Sequence, residues 1–254
     1  MKRVRVRRQR STRARIVAVF VVALGIHALA ATTTAAPVAN APKTTLVVLG
    51  DSLTWGTNYF ANSQSRLAAA GQFESVLVDS RWGRRISGPT STRYSGTVAY
   101  KQLVTTGVRP TAVLVALGSN DVAILTKRKE YVTVIQDLMN AIGNIPVVWL
   151  TVHRVDSATT TRQSQRFNAV LAQELAKYPL ASVYDWANVV KTTPSVLDPD
   201  KIHLTSLGSE VRTRVYLELA VSLAQRASDV TSTTTSTTTV PPTTTLVPST
   251  TVAP

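Results

Sequence analysis

The chain contains no cysteine among its 254 residues. Disulfide bonds, thiolate catalysis and cysteine-based metal sites are therefore excluded, and the hydrophobic core must stabilise the fold by itself. Histidine is also scarce, with three residues, and 14 acidic residues stand against 28 Lys and Arg. Any chemistry that needs a histidine base is thus confined to very few positions.

The basic excess is concentrated at the N-terminus. Residues 1–15 hold eight Lys and Arg and no acid, and residues 16–30 are almost wholly apolar. A basic segment, an apolar run and the small-x-small motif Ala28-Leu29-Ala30 are typical of a secretory signal peptide. The apolar run of about fifteen residues is shorter than the roughly twenty of a membrane span. We predict a signal over residues 1–30 and a linker over 31–42. An uncleaved anchor and a cleavage site at Ala39-Asn40-Ala41 are the alternatives.

Once the signal is removed, 20 basic residues face 14 acids, a formal charge of +6. No basic stripe interleaved with aromatic residues and no nucleic-acid-binding motif is found, so no nucleic-acid partner is predicted. The expected product is a monomer without a membrane span, either secreted or associated with the cell envelope.

The segment from Ser228 to Pro254 has a different composition, with twelve Thr, four Ser, four Pro and Asp229 as its one charged residue. Such a segment cannot bury enough apolar surface to form a core. It predicts a disordered Thr/Pro-rich tail over 228–254, acting as a glycosylated stalk, a cell-wall spacer or a solvated terminus. Since no fixed-period repeat is present, residues 43–227 are predicted to form one domain.

Within residues 43–227, short Val-rich runs alternate with longer amphipathic runs. The short runs predict five strands, at 45–49, 75–78, 112–116, 146–151 and 182–185. The longer runs predict five helices, at 59–70, 97–106, 128–142, 160–177 and 206–226. Continuous apolar strands separated by helices are typical of a parallel sheet covered on both faces. The sequence therefore predicts an α/β fold, a three-layer α/β/α sandwich with a five-stranded parallel sheet, and ligands at the carboxyl ends of the strands.

A serine, Ser52, lies directly after the first predicted strand. A serine hydroxyl needs an adjacent base to act as a nucleophile at neutral pH, and residues from other strand ends can converge on this position. His27 leaves with the signal, so His153 and His203 are the candidate bases. Of these, His203 has an acid, Asp200, three residues before it, and one turn of chain can bring that carboxylate to the imidazole. We predict Ser52 as nucleophile, His203 as base and Asp200 as orienting acid, with Asp198 as the alternative acid.

Four ordered motifs carry a family resemblance: Gly50-Asp51-Ser52-Leu53, the glycine Gly83 after the second strand, Gly118-x-Asn120-Asp121, and Asp200-x-x-His203. In order, spacing and strand position they resemble the SGNH hydrolases, the GDSL esterase and lipase family. The resemblance implies a flavodoxin-like sandwich with no metal and no organic cofactor. It implies the same nucleophile, base and acid, and an oxyanion hole made by the Ser52 and Gly83 backbone amides and the Asn120 side chain. Gly88 is the alternative to Gly83.

Uncharged, preorganised donors suit a tetrahedral oxyanion, so the implied roles also agree with the chemistry. The sequence predicts a secreted serine esterase that hydrolyses acyl or acetyl esters through an acyl-enzyme intermediate. An O-acyltransferase acting on cell-envelope polysaccharide would use the same residues, and a catalytically silent wall-binding module is the non-enzymatic alternative.

The substrate is expected to be a small-molecule or polysaccharide-linked ester. Two basic clusters follow the second and third strands, Arg81, Arg84 and Arg85 and then Lys127, Arg128 and Lys129. They suggest an anionic cell-envelope polymer as a partner. Solvated loop charges are the alternative interpretation of both clusters.

Overall fold

The structure is a computed structural model that describes residues 44–91 and 93–236, with side chains described as far as residue 232. The predicted signal, the predicted linker and the tail beyond residue 236 lie outside the described residues.

Five strands form one parallel sheet: β1 (Thr45–Gly50), β2 (Ser75–Ser80), β3 (Ala112–Ala116), β4 (Val147–Leu150) and β5 (Ala181–Tyr184). The strand order is β2-β1-β3-β4-β5, with all neighbouring pairs parallel. The chain therefore turns back between β1 and β3, and in such sheets ligands bind beside that reversal at the carboxyl edge. The predicted five-stranded parallel sheet is confirmed.

Within the described residues, seven helices and one 3₁₀ turn lie between and after the strands. The helices are α1 (Ser52–Ala61), α2 (Ser63–Ala69), α3 (Gly96–Thr105), α4 (Arg128–Ile142), α5 (Ala158–Leu175), α6 (Trp186–Thr192) and α7 (Ser206–Ser236), and the 3₁₀ turn is Pro194–Val196. Among the described residues, no helix combines the length and the apolar character needed to cross a membrane.

The core is divided into two layers by the sheet, because successive side chains of a strand point to opposite faces. On β1, Val47 and Leu49 pack against residues of α3, α4 and α5. Their neighbours Leu46 and Val48 pack against residues of α1, α2, α6 and α7. All four side chains are fully buried. The three-layer α/β/α sandwich is thereby confirmed.

The first and last helices differ from the prediction. The predicted helix over 59–70 is two helices that meet at Asn62, which has a left-handed φ of 49°. At the other end, α7 continues to Ser236, beyond the predicted end at 226 and into the predicted tail. The hydroxyls of Thr231 and Ser232 each donate to the carbonyl four residues earlier, at 3.0 Å. These hydroxyls thus hydrogen-bond within the helix, so the first nine residues of that segment extend α7.

Candidate active site

The turn from β1 to α1 places Ser52 as the first residue of the helix, at the carboxyl edge of the sheet. Asp51 is the N-cap, and its Oδ1 accepts a hydrogen bond from the Leu53 amide at 3.0 Å. A methyl group on Gly50 would collide with the Thr54 side chain, so only glycine permits this close approach of strand and helix. The helix therefore begins at the predicted nucleophile itself.

Ser52, His203 and Asp200 form a continuous chain of hydrogen-bonding contacts. Ser52 Oγ lies 3.2 Å from His203 Nε2, and His203 Nδ1 lies 2.6 Å from Asp200 Oδ2. Asp200 Oδ1 also accepts from the Ile202 and His203 amides, both at 2.9 Å. The alternative acid, Asp198, makes a backbone hydrogen bond to His203 but lies outside this side-chain chain. The structure thus brings together the three side chains that the sequence singles out.

The ionisation of Asp200 follows from its partners. Partial burial raises the pKa of this carboxyl, but hydrogen bonds from the His203 ring and from the His203 and Ile202 amides together lower it further, so the net shift is downward. An ionised Asp200 cannot donate a hydrogen bond, so Nδ1 must carry the proton, and in the neutral imidazole Nε2 is then the acceptor for the Ser52 hydroxyl. This is the tautomer that a serine nucleophile requires.

Asn120 is hydrogen-bonded to the residue that follows Gly83. Gly83 has a φ of +72°, in the left-handed region that favours glycine. The Asn120 side-chain amide donates to the carbonyl of Arg84, the residue after Gly83, at 2.9 Å. Among the described residues, no acceptor is found for the backbone amides of Ser52 and Gly83. Gly88 packs instead against Tyr94 and Arg85.

A second contact between the same two loops is made by Asp121, to which the sequence analysis gave no separate role. Its carboxylate accepts from the Ile86 amide through both oxygens, at 3.2 and 3.0 Å, and its side chain is fully buried. Burial raises the pKa of Asp121 to about 7, although the Ile86 hydrogen bond and the nearby Arg85 lower it in part. The only sequence signal was its position directly after Asn120. Asp121 and Asn120 together hold the Gly83 loop against the loop that follows β3.

Behind the nucleophile lies a buried charged residue that the sequence analysis missed. Arg212, in the second turn of α7, is 3% exposed. Its Nε donates to the Tyr216 hydroxyl at 2.9 Å, and its guanidinium carbon lies 4.9 Å from the Trp186 ring centroid. Burial raises the pKa of the neighbouring Asp51 to about 6, whereas the positive charge of Arg212 lowers it. A single arginine within an amphipathic helix carries no signal that it is buried.

The contact between Ser52 and His203 opens into a cavity of about 270 Å³. Its walls are mainly apolar, with one acidic residue, and its lining residues are Ser52, Leu53, Trp55, Gly56, Phe60, Trp82, Asp198, His203 and Leu204. The reacting hydroxyl would therefore meet a substrate that has one small apolar part.

Two other predicted residues are placed away from the reacting atoms. His153 lies half-buried beside a separate cavity of about 10 Å³, and burial lowers its pKa. Arg84 is 1% exposed and pairs with Asp79, with its Nη2 3.1 Å from Oδ1. As a buried, paired residue, Arg84 cannot contact an external polymer, which corrects the interpretation of Arg84; an anionic partner for the rest of the first basic cluster stays a prediction. Within the described residues, no group of three or more His, Cys, Asp or Glu could hold a metal ion.

Comparison with known proteins identifies the family. The model of the GDSL-like lipase/acylhydrolase family matches residues 48–211, a range that includes every residue of the Ser52–His203–Asp200 chain. A lipase/acylhydrolase from Enterococcus faecalis has a similar structure, with a TM-score of 0.58, 17% identity, and coverage of 70% of this chain and 96% of its own. No match was found among curated protein sequences.

Two further solved structures share the fold. A carbohydrate acetylesterase from Sinorhizobium meliloti has a TM-score of 0.53 at 12% identity, covering 74% of this chain and 100% of its own. An aryl esterase from M. smegmatis has a TM-score of 0.56 at 15% identity, covering 71% and 99%. Identities this low support the fold alone, whereas the family match covers more than half of the sequence. The chain belongs to the GDSL-like lipase/acylhydrolase family, and it is an SGNH-type ester hydrolase.

Proposed function

We propose that this protein is an exported serine esterase that hydrolyses short acyl or acetyl esters through Ser52, His203 and Asp200. The observation that carries the proposal is the 3.2 Å contact between Ser52 Oγ and His203 Nε2 at the mouth of an apolar cavity. A hydroxyl within hydrogen-bond reach of an oriented imidazole is the arrangement that nucleophilic catalysis requires.

In the first step, Ser52 Oγ attacks the ester carbonyl while His203 Nε2 accepts the hydroxyl proton. The carbonyl oxygen becomes an oxyanion, for which the Ser52 and Gly83 amides and the Asn120 side chain are the proposed donors. Collapse of the intermediate breaks the bond to the alcohol oxygen, which takes the proton from His203. Asp200 stabilises the imidazolium while it exists.

In the second step, water replaces the alcohol. His203 removes a proton from the water, the resulting oxygen attacks the acyl-enzyme carbonyl, and the same donors receive the oxyanion. The proton then returns to Ser52 Oγ, and the carboxylic acid leaves.

The size of the cavity supports a short acyl group. At about 270 Å³ it lies just below the range of roughly 300–1,000 Å³ that is usual for drug-sized ligands. An acetyl or short acyl group fits such a volume more readily than a long lipid chain. The names of two structural neighbours, a carbohydrate acetylesterase and an aryl esterase, agree with esters of ring-bearing alcohols.

Export is proposed from sequence alone, on the basic and apolar segments of residues 1–30. Sequencing the N-terminus of the protein collected from the culture medium or the cell envelope would test it. A mature chain that begins between residues 31 and 42 supports export with cleavage, whereas an intact Met1 in the cytoplasm contradicts it.

A serine-reactive fluorophosphonate tests the catalytic proposal directly. The wild-type protein should be labelled at Ser52 and should hydrolyse short-chain esters, and Ser52→Ala should lose both properties while keeping its melting temperature. Ser222→Ala, which changes an exposed serine on α7, is the matched control and should behave as wild type. Turnover by Ser52→Ala at a tenth or more of the wild-type rate would exclude Ser52 as the nucleophile.

A further inference from the structure

A second depression adjoins the cavity that contains Ser52. Its volume is about 430 Å³, and it is lined by Trp55, Arg81, Trp82 and Arg93. Trp55 and Trp82 line both spaces, and their rings meet edge to face with centroids 5.2 Å apart. The two indoles therefore separate the reacting atoms from a neighbouring site that contains two arginines.

The two tryptophans of this depression lie close in sequence to the proposed catalytic groups. Trp55 lies three residues after Ser52 on α1, so the two side chains share a face of the helix. Trp82 directly precedes Gly83, one of the proposed oxyanion donors. A substrate whose ester group lies at Ser52 could thus extend past either indole into the depression.

The two arginines of the depression lack carboxylate partners. Arg81 donates to the Ser80 carbonyl at 2.8 Å, and the Arg93 guanidinium carbon lies 5.1 Å from the Tyr94 ring centroid. Neither forms a salt bridge with any described residue, and the parts of the sequence outside the described ranges contain no Asp or Glu. The nearby Arg84, by contrast, is neutralised by Asp79.

These features match one chemical class of ligand. A guanidinium presents paired N–H donors that fit the oxygens of a carboxylate or a phosphate. Indole faces pack against flat aromatic rings and the apolar faces of sugars. We propose that the depression of Trp55, Arg81, Trp82 and Arg93 is a subsite for a carboxylate or phosphate group of the ester substrate. This group would lie at a distance from the scissile bond. This inference rests on the esterase function proposed above.

The anionic group can belong to the alcohol or to the acid part of the ester, and matched substrate pairs separate the two cases. For the alcohol part, para-acetoxybenzoate is compared with its neutral methyl ester. For the acid part, the para-nitrophenyl monoester of adipic acid is compared with para-nitrophenyl methyl adipate. The measured quantity is the ratio of kcat/KM for the charged ester to kcat/KM for the neutral one. This ratio does not depend on the fraction of active enzyme in a sample.

The wild-type ratio should reach about fivefold or more in at least one pair, because each exposed charge contact contributes a modest amount. It should fall toward one between 0.01 and 0.5 M salt, since the Debye length shortens from about 30 Å to below 10 Å. The double variant Arg81→Gln/Arg93→Gln should lose the preference. Arg109→Gln removes an exposed arginine just before β3, at the opposite edge of the sheet, and should keep it.

The pair that shows the preference identifies which part of the substrate enters the subsite. A wild-type ratio near one in both pairs, a preference that survives in the double variant, or an equal loss in Arg109→Gln would overturn the subsite while leaving the esterase intact. Failure of the wild-type protein to hydrolyse any of the four esters would overturn the proposed function and this inference together.

Discussion

Replacing Asn120 by alanine separates a role in rate from a role in structure. The Asn120 amide carries two N–H groups, and one of them donates to the Arg84 carbonyl at 2.9 Å. The proposed mechanism assigns the other to the oxyanion that forms beside the Ser52 and Gly83 amides. The substitution removes both, so it should affect the reaction and the loop at the same time.

The two effects differ in size. Loss of one neutral hydrogen bond costs about 1 kcal/mol of stability, which lowers the Tm of a domain of 150–250 residues by about 2–4 °C. Loss of a side-chain oxyanion donor typically lowers kcat by about 10²- to 10³-fold, equivalent to roughly 2.7–4 kcal/mol. Because the bound substrate carries no oxyanion, which develops only as the tetrahedral intermediate forms, KM should change little where it reports substrate binding.

The assay measures kcat with a short-chain ester and Tm on the same samples of three variants. Asn120→Asp should be at least as slow as Asn120→Ala, because a carboxylate would face the developing negative charge. Asn168→Ala is the matched control: its amide also holds a strand-end backbone group, at the Val152 carbonyl and amide, both 2.8 Å away. The Tm of Asn168→Ala should fall, with little change in kcat. A near-normal kcat with a lowered Tm in Asn120→Ala would refute the oxyanion role.

Three further predictions follow from the same structure. His153→Ala should keep kcat within about twofold, because His153 makes no hydrogen bond to Ser52; inactivity of this variant alongside an active His203→Ala would reverse the assignment of the base. Asp121 should make the free energy of unfolding fall by up to about 4 kcal/mol between about pH 4 and pH 7, because its pKa of about 7 in the folded state exceeds its ordinary 3.8 and the folded state therefore holds the proton more tightly. Denaturant titrations of Asp121→Asn should lack this fall, and a parallel pH dependence in the wild type and the variant would contradict the prediction. Ending the chain after Ala227 should lower Tm by no more than about 2 °C and leave kcat unchanged, because Val230 is the one part-buried residue of 228–232, and a larger loss would show that the end of α7 stabilises the domain.

The sheet and the reacting residues were predictable because they depend on local patterns. Four-to-six-residue apolar runs define the strands, and a parallel sheet brings its carboxyl ends to one edge regardless of how the loops are built. A base at His203 could be chosen because Asp200 lies within one turn of it. The structure shows the same pairing, with 2.6 Å between Nδ1 and Oδ2.

Long-range contacts were not predictable in the same way. The sequence pattern does not distinguish the three arginines of the first basic cluster, yet Arg84 is buried against Asp79 whereas Arg81 is exposed. The start of α1 at Ser52 depends on capping by Asp51, which a search for amphipathic periodicity does not detect. The buried position of Arg212 arises from Tyr216 and from Trp186 on another helix, so it depends on how the helices pack.

The two buried carboxyls of the site lower the stability of the fold but help to position backbone amides. Asp51 and Asp121 are fully buried, and burial raises their pKa values to about 6 and about 7. At neutral pH the unfolded chain ionises both more readily than the folded protein does, so each makes folding less favourable than a neutral residue of the same shape would. Each nevertheless accepts a hydrogen bond from a backbone amide near a proposed donor. Asp51 accepts from Leu53, next to Ser52 at the start of α1, and Asp121 accepts from Ile86, three residues after Gly83. A buried carboxylate that costs stability while holding a loop is expected where the position of backbone amides matters to the reaction.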